Sequence, residues 1–221
     1  MQTILFHPDR EICDALERMT KHLDDVTVLC TSYEELHESG IALEGAVVSP
    51  GNGFGIMDGG FDAVLREIHG AELEYSIKRR ILSLYGPELP VGAAVVAKSV
   101  NEGQIVIYAP TMQGPMGIRG TDNVYRAARA AAHTAERIGI DTLFMPMLGM
   151  GTGGMGVEDA AVQMLAGVHD GTELMEPEEL CWEHADRMHQ QWHRFCGVPD
   201  DGYRWAGEGD DDEPVGYCTD D

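Results

Sequence analysis

Lysine is almost missing from this chain. Lys21, Lys78 and Lys98 are the only three, and 15 basic residues face 38 acidic ones for a formal charge of -23. A surface with that balance repels nucleic-acid phosphates and anionic membranes, so bulk DNA or RNA binding is not expected; a small phosphorylated ligand in a local pocket remains compatible with it. No apolar run approaches the ~20 residues that cross a bilayer, and the opening MQTILFHP lacks both the basic start and the apolar core of a secretory signal. Cysteine is sparse: Cys13, Cys30, Cys181, Cys196 and Cys218 are scattered and odd in number. They imply no disulfide framework and point to a reducing cytoplasm. What the chain does have is enough apolar residue, 43% of 221, to build a real core.

Segments of strand and helix character alternate. Strand-like runs occupy 3–6, 26–30, 46–49, 93–97, 104–109 and 142–146, the fourth and fifth paired around the turn Asn101-Glu102-Gly103. Helical periodicity follows Pro8-Asp9 and recurs over 62–68, 71–85, 121–138 and 157–168. This order predicts an α/β domain with a mixed, largely parallel central sheet covered on both faces, spanning residues 1–172. Residues 176–195 read as an amphipathic helix, giving a C-terminal extension over 173–197, and 198–221 as a solvated, acidic, partly disordered tail.

Glycine is concentrated in two places. SPGNGFGIMDGGFD, residues 49–62, follows the third strand and holds five glycines; LGMGTGGMG, residues 148–156, follows the last strand. Each glycine loses much backbone entropy on folding, so such loops need a reason. A glycine-rich loop opening a helix presents converging N–H donors and positive potential to a phosphate. Two such loops at strand ends are placed to clamp a diphosphate from both sides. Neither is a P-loop, because no Gly-Lys-Ser/Thr occurs, and Gly149-Met150-Gly151-Thr152-Gly153-Gly154 fails the spacing of the dinucleotide fingerprint. The competing interpretation is a pair of tight turns without a ligand.

The stretch VVSPGNGFGIMDGGFDAVLREIHG resembles the signature of macro domains, the three-layer α/β/α modules that bind ADP-ribose. Asn52 falls on the second asparagine of the family pattern, Asp62 on the aspartate ten residues later, and Gly59-Gly60 on the end of the glycine run. FMPMLGMGTGGMG resembles the second loop, which wraps the diphosphate. GPELPVGAAVVA, IVIYAPTM and RGTDNVYRAA resemble a subgroup found in phage and bacterial proteins. The likeness runs from about Val26 to Val168. There are departures. Ser49 replaces the first asparagine, Arg66 replaces a histidine four residues after the aspartate, and only Ser32, Tyr33 or Glu34 lies near where an adenine-reading aspartate is expected.

The resemblance implies binding of ADP-ribose or a related nucleotide, with an ADP-ribosylated macromolecule as a further partner and no cofactor. The implied ligand-binding residues are Ser49, Gly51, Asn52, Gly59, Gly60 and Phe61 in the first loop, and Gly149, Met150, Gly151, Thr152, Gly153 and Gly154 in the second. It also implies that Asn52 orients the distal ribose and that Asp62 activates water to release ADP-ribose from an acceptor, with Asp58 as a second candidate base. On the residues alone, Asp62 is equally a helix N-cap whose carboxylate the helix end keeps ionised. Non-catalytic binding or sequestering, and a structural phage-type use of the fold, stay open beside hydrolysis. Cys181, His184, His189, His193 and Cys196 share one predicted helix but lack metal-site spacing, so no metal is expected. Met145 and Met147 are expected in the core; Arg119 and Arg126 flank a helix start and are expected to face solvent.

Overall fold

A computed structural model of the chain describes residues 1–173, together with 181, 182, 184–188 and 190. Its elements run β1 (Gln2–Phe6), α1 (Arg10–Thr20), β2 (Val26–Leu29), α2 (Tyr33–Glu38), a 3-10 turn (Ile41–Glu44), β3 (Ala46–Ser49), α3 (Gly60–His69), α4 (Ala71–Leu84), β4 (Val95–Lys98), β5 (Ile105–Tyr108), α5 (Asn123–Arg137), β6 (Thr142–Pro146) and α6 (Val157–Thr172). The six strands form one sheet in the order β2-β1-β6-β3-β5-β4. Only the edge strand β4 is antiparallel, pairing Val95 with Tyr108 and Lys98 with Ile105.

Two apolar layers sandwich the sheet. Leu16, the alanines of α5 (Ala127, Ala128, Ala131, Ala132, Ala135) and Met164 pack on one face with Val48, Met145 and Leu143. Tyr33, Leu36, Leu65, Leu73, Ile77 and Ile81 pack on the other with Val47, Phe144 and Val106. Neighbouring residues of β3 and β6 thus serve opposite layers, as the two-residue period of a strand requires. This is the mixed, mostly parallel α/β/α arrangement expected from the order of elements.

No strand or helix is predicted between 31 and 45, yet α2 and the 3-10 turn lie there. The signal was present: Ser32 Oγ accepts from the Glu35 N–H at 3.2 Å, and the Glu35 carboxylate accepts from the Ser32 N–H at 3.1 Å, a reciprocal capping box. Helix α5 begins at Asn123 and not at 121, because the Thr121 hydroxyl bonds back to the Ile118 carbonyl at 2.7 Å and closes a turn there. Helix α6 runs to Thr172, one turn beyond the expected end. Within the expected helix 176–195, residues 182, 184–188 and 190 are helical; the rest of that segment, with His189, His193 and Cys196, and the tail 198–221 lie outside the described residues. Among the described residues no helix is long and apolar enough to cross a membrane.

Helices α5 and α6 approach closely because their facing residues are small. A Cβ placed on Gly167 would meet the Tyr125 carbonyl oxygen at 2.5 Å and Ala128 Cβ at 2.9 Å; one on Gly171 would meet the Arg129 carbonyl oxygen at 2.5 Å and Ala132 Cβ at 2.8 Å. Backbone cannot swing aside as a side-chain tip does. Gly167→Ala is therefore expected to destabilise the protein by about 1–3 kcal/mol despite alanine's better helix propensity. A urea denaturation midpoint equal to or above that of the unsubstituted protein would contradict this packing.

Candidate functional site

Strands β1, β3, β5 and β6 are parallel, so the loops leaving their C-terminal ends emerge along one edge of the sheet. The β3–α3 and β6–α6 loops are the two glycine-rich segments, adjacent because β3 and β6 are neighbours. Between them opens a cleft. Its wall includes Gly51, Asn52, Asp58, Gly59, Gly60, Phe61 and Asp62 from the first loop, Gly149, Gly151, Thr152 and Gly153 from the second, and Thr111 and Met112 from the segment after β5. No lysine or arginine lines it among the described residues.

The first loop is held by the end of β5. The Tyr108 hydroxyl donates to the Asn52 carbonyl at 2.7 Å and accepts from the Asn52 N–H at 2.8 Å. The Thr111 N–H donates to the Gly51 carbonyl at 3.1 Å, and the Thr111 hydroxyl donates to the Pro50 carbonyl at 2.9 Å. Gly51 lies where any side chain would run into the Tyr108 hydroxyl and Asp62 Oδ2. Here glycine is required by a close approach.

Asn52 organises the loop from within. Its Oδ1 accepts from the Phe54 N–H at 3.0 Å and the Ile56 N–H at 3.3 Å, and its Nδ2 donates to the Ile56 carbonyl at 2.8 Å. One amide hydrogen is left uncommitted among the described residues. Phe61 packs against Phe6 and Tyr33, with ring centroids 5.7 and 5.5 Å away, and so anchors the start of α3 to the apolar layer.

Asp62 is not the N-cap. Gly59 holds that position without a side-chain bond, and Asp62 sits in the first helical turn with its carboxylate buried beneath the loop. Its Oδ1 accepts from the fully buried Ser49 hydroxyl at 2.6 Å. Burial pushes Asp62 up to about 7, the Ser49 bond pulls against this, and nearby Asp58 adds to the rise. The helix end does not keep it fully ionised at neutral pH, because desolvation outweighs a terminal dipole worth about 0.3–1 kcal/mol. Asp58 is exposed at the rim.

The second loop is shaped by its own backbone. The Met155 N–H donates to the Gly149 carbonyl at 3.0 Å, the Gly154 N–H to Gly151 at 3.1 Å, and the Ile118 N–H to Gly153 at 2.9 Å. Arg119 bonds the Gly154 carbonyl through Nε, so it straps this loop and does not simply face solvent. Arg126 pairs with Asp122 at 2.5 Å. The N–H groups of Met150, Gly151, Thr152 and Gly153 make no hydrogen bond among the described residues, and neither do those of Gly60, Phe61 and Asp62 at the start of α3. Unpaired donors at a helix start and in a glycine loop are the features that receive an anion.

Ser32, Tyr33 and Glu34 are not in the cleft wall: Ser32 caps α2, and the Tyr33 hydroxyl lies 2.8 Å from His69 Nε2. Met145 and Met147 are both core, as expected, and Met147 with the buried Met112 also borders the cleft. Sequence reasoning missed the contribution of Tyr108 and Thr111. A lone tyrosine ending a strand carries no motif, and only the pairing of β3 with β5 brings it to the loop.

A raised carboxyl pKa in the folded state means that burying the ionised form is costly. That cost is absent below the unfolded value near 3.8, accrues as pH rises, and is complete above about 7. Asp62→Asn, which removes the ionisation, should therefore gain stability relative to the unsubstituted protein as pH rises. The gain between pH 5 and pH 8 is expected to be about 2.5 kcal/mol. Parallel denaturation curves at those two pH values check it; a pH-independent difference would contradict a titrating Asp62.

The family profile described as "Macro domain" matches residues 48–164, which spans both loops. An uncharacterized protein of Aeropyrum pernix is 36% identical over 118 residues, 52% of this chain and 59% of its own length, so this chain spans about three fifths of that relative. One of Aquifex aeolicus is 28% identical over 159 residues, 69% of this chain and 89% of its own. A mutant Oceanobacillus iheyensis macrodomain solved with ADPR shares the fold with a TM-score of 0.51 at 16% identity, over 66% of this chain and 87% of that one. The same macrodomain solved with ADP gives 0.50 at 15%, over 68% and 89%. With the profile covering more than half of its length, this chain belongs to the macro domain family.

Proposed function

We propose that the cleft binds ADP-ribose, or a closely related nucleotide, and hydrolyses the bond between its distal ribose and an acceptor. The observation that carries this reading is Asp62: a buried carboxyl near neutral pKa, fixed by Ser49, in the wall of a cleft flanked by unpaired N–H donors. The diphosphate lies between the donors of Gly151 to Gly153 and those at the start of α3. The remaining Asn52 amide hydrogen meets a ribose hydroxyl. With no lysine or arginine in the wall among the described residues, the backbone supplies the positive potential.

For the chemical step, ionised Asp62 takes a proton from a water whose oxygen attacks the anomeric carbon. The bond from that carbon to the acceptor breaks, and the proton passes to the departing acceptor atom. A group titrating near 7 suits both halves of this exchange. Asp58, at the rim and exposed, is the alternative base. The chain's cytoplasmic setting and an ADP-ribosylated macromolecule as substrate belong to the same proposal.

Titration calorimetry with ADP-ribose, and with ADP, AMP and NAD in parallel, tests binding. Gly151 has open space where a Cβ would stand and lines the cleft, so Gly151→Val should block the ligand without disturbing the loop. Gly153 is unsuitable for this purpose: a Cβ there would meet the Gly149 carbonyl oxygen at 2.5 Å and break the loop itself. Saturable ADP-ribose binding that falls at least tenfold in Gly151→Val is expected. Asp62→Asn should retain binding and lose release of ADP-ribose from modified protein by about 10²–10⁴-fold. For the unsubstituted protein, kcat should fall toward acid with an inflection at or above pH 7, since a bound diphosphate can only raise Asp62 further. Binding without any turnover would leave a pure binder; no saturable heat in folded protein would sink both parts.

A further inference from the structure

Away from the cleft, three side chains from separate elements converge. His37 lies in α2, His69 ends α3, and Glu102 sits in the turn between β4 and β5. His37 Nε2 is 2.6 Å from Glu102 Oε2, and His69 Nδ1 is 3.5 Å from the same oxygen. The two imidazole rings meet edge to face, 5.2 Å apart. One ligating atom from each residue lies within 4.8 Å of the others.

His69 is the informative member. Its side chain is fully buried, and its Nδ1 has no hydrogen-bond partner. A buried nitrogen left in this state costs about 1–3 kcal/mol. Its other nitrogen, Nε2, faces the Tyr33 hydroxyl at 2.8 Å. When Nε2 carries the proton and donates it to Tyr33, Nδ1 presents a lone pair toward a carboxylate and a second imidazole. His37 Nε2 and Glu102 Oε2 share a proton in a 2.6 Å hydrogen bond; once that proton is given up, three electron-rich atoms face one another, an arrangement that is stable around a cation.

We propose that His37 Nε2, His69 Nδ1 and the Glu102 carboxylate bind a zinc ion, with water in the fourth position. Two imidazoles and one carboxylate select a borderline transition ion over magnesium or calcium. Zinc bonds of 2.0–2.2 Å at tetrahedral angles place ligand atoms about 3.3 Å apart. The His69–Glu102 spacing already matches; Glu102, on an exposed turn, must withdraw from His37 by about 0.7 Å, and the two imidazole nitrogens, within 4.8 Å of each other, must settle to the same spacing. Tyr33 fixes the tautomer and orientation of His69 from behind, the role that outer partners of metal-bound histidines commonly play. The ion ties the β4–β5 turn to α2 and to the end of α3 remote from Asp62.

Calorimetry of chelator-treated, full-length protein with zinc sulfate, against a competing chelator of known affinity, tests the site. One equivalent should bind. His37→Ala and Glu102→Gln, both at partly exposed positions, should each weaken binding by more than about 100-fold while retaining the circular dichroism of the folded chain. Tyr33→Phe, which removes only the hydroxyl facing His69 Nε2 and keeps the ring, should weaken it about 10- to 100-fold. Cobalt in place of zinc should give visible bands with no thiolate charge-transfer band. Undiminished affinity in both His37→Ala and Glu102→Gln, a thiolate band pointing to Cys181 or other cysteines, or the absence of any binding would each overturn the proposal.

Discussion

One phenol clasps the strand end on which the candidate site is built. The Tyr108 hydroxyl spans the N–H and the carbonyl of Asn52, and so extends the β3–β5 pairing past the last regular ladder bond. This fixes where the first glycine loop leaves the sheet. It also leaves no room for a side chain at residue 51, with the Tyr108 oxygen on one side and the Asp62 carboxylate on the other. Asp62 is buried because the loop closes over it, and Ser49 reaches it because β3 ends directly beneath. The position and protonation of the carboxyl are both consequences of that strand-end geometry.

Competition between burial and the helix terminus decides what Asp62 can do. A first-turn carboxylate on a solvated helix is stabilised as an anion, by at most about 1 kcal/mol. Moving from 3.8 to about 7 corresponds to about 4 kcal/mol in the other direction. The larger effect wins. The same helix end that fails to hold the charge on Asp62 still offers its unpaired N–H groups to the cleft.

The charge of the whole molecule and the charge of the cleft point to different ligands. A formal -23 disfavours polyanions at long range. Beyond about 8 Å at physiological salt such effects are screened, and what a small anion meets is the local array of donors. In this cleft the donors among the described residues are backbone N–H groups of the glycine loops, not lysine. The fold supports that choice: the small faces of α5 and α6 pack tightly, and β3 and β6 lie side by side so that both loops share one edge.

The sequence by itself determined the order of strands and helices, the two glycine loops at strand ends and the ten-residue step from Asn52 to Asp62. These are local properties, written in periodicity and in residues whose backbone preferences are strong. It underdetermined α2, where a short capping box was the only cue. What the tertiary structure decided is whatever depends on partners far apart in the chain. Asn52 turned inward to its own loop and to Tyr108, 56 residues on. Asp62 acquired a near-neutral pKa from the loop that buries it, against the pull of a serine 13 residues back. His37 and Glu102, 65 residues apart, met beside a histidine held by Tyr33. Burial and long-range pairing set these states, and neither has a signature in a local pattern of residues.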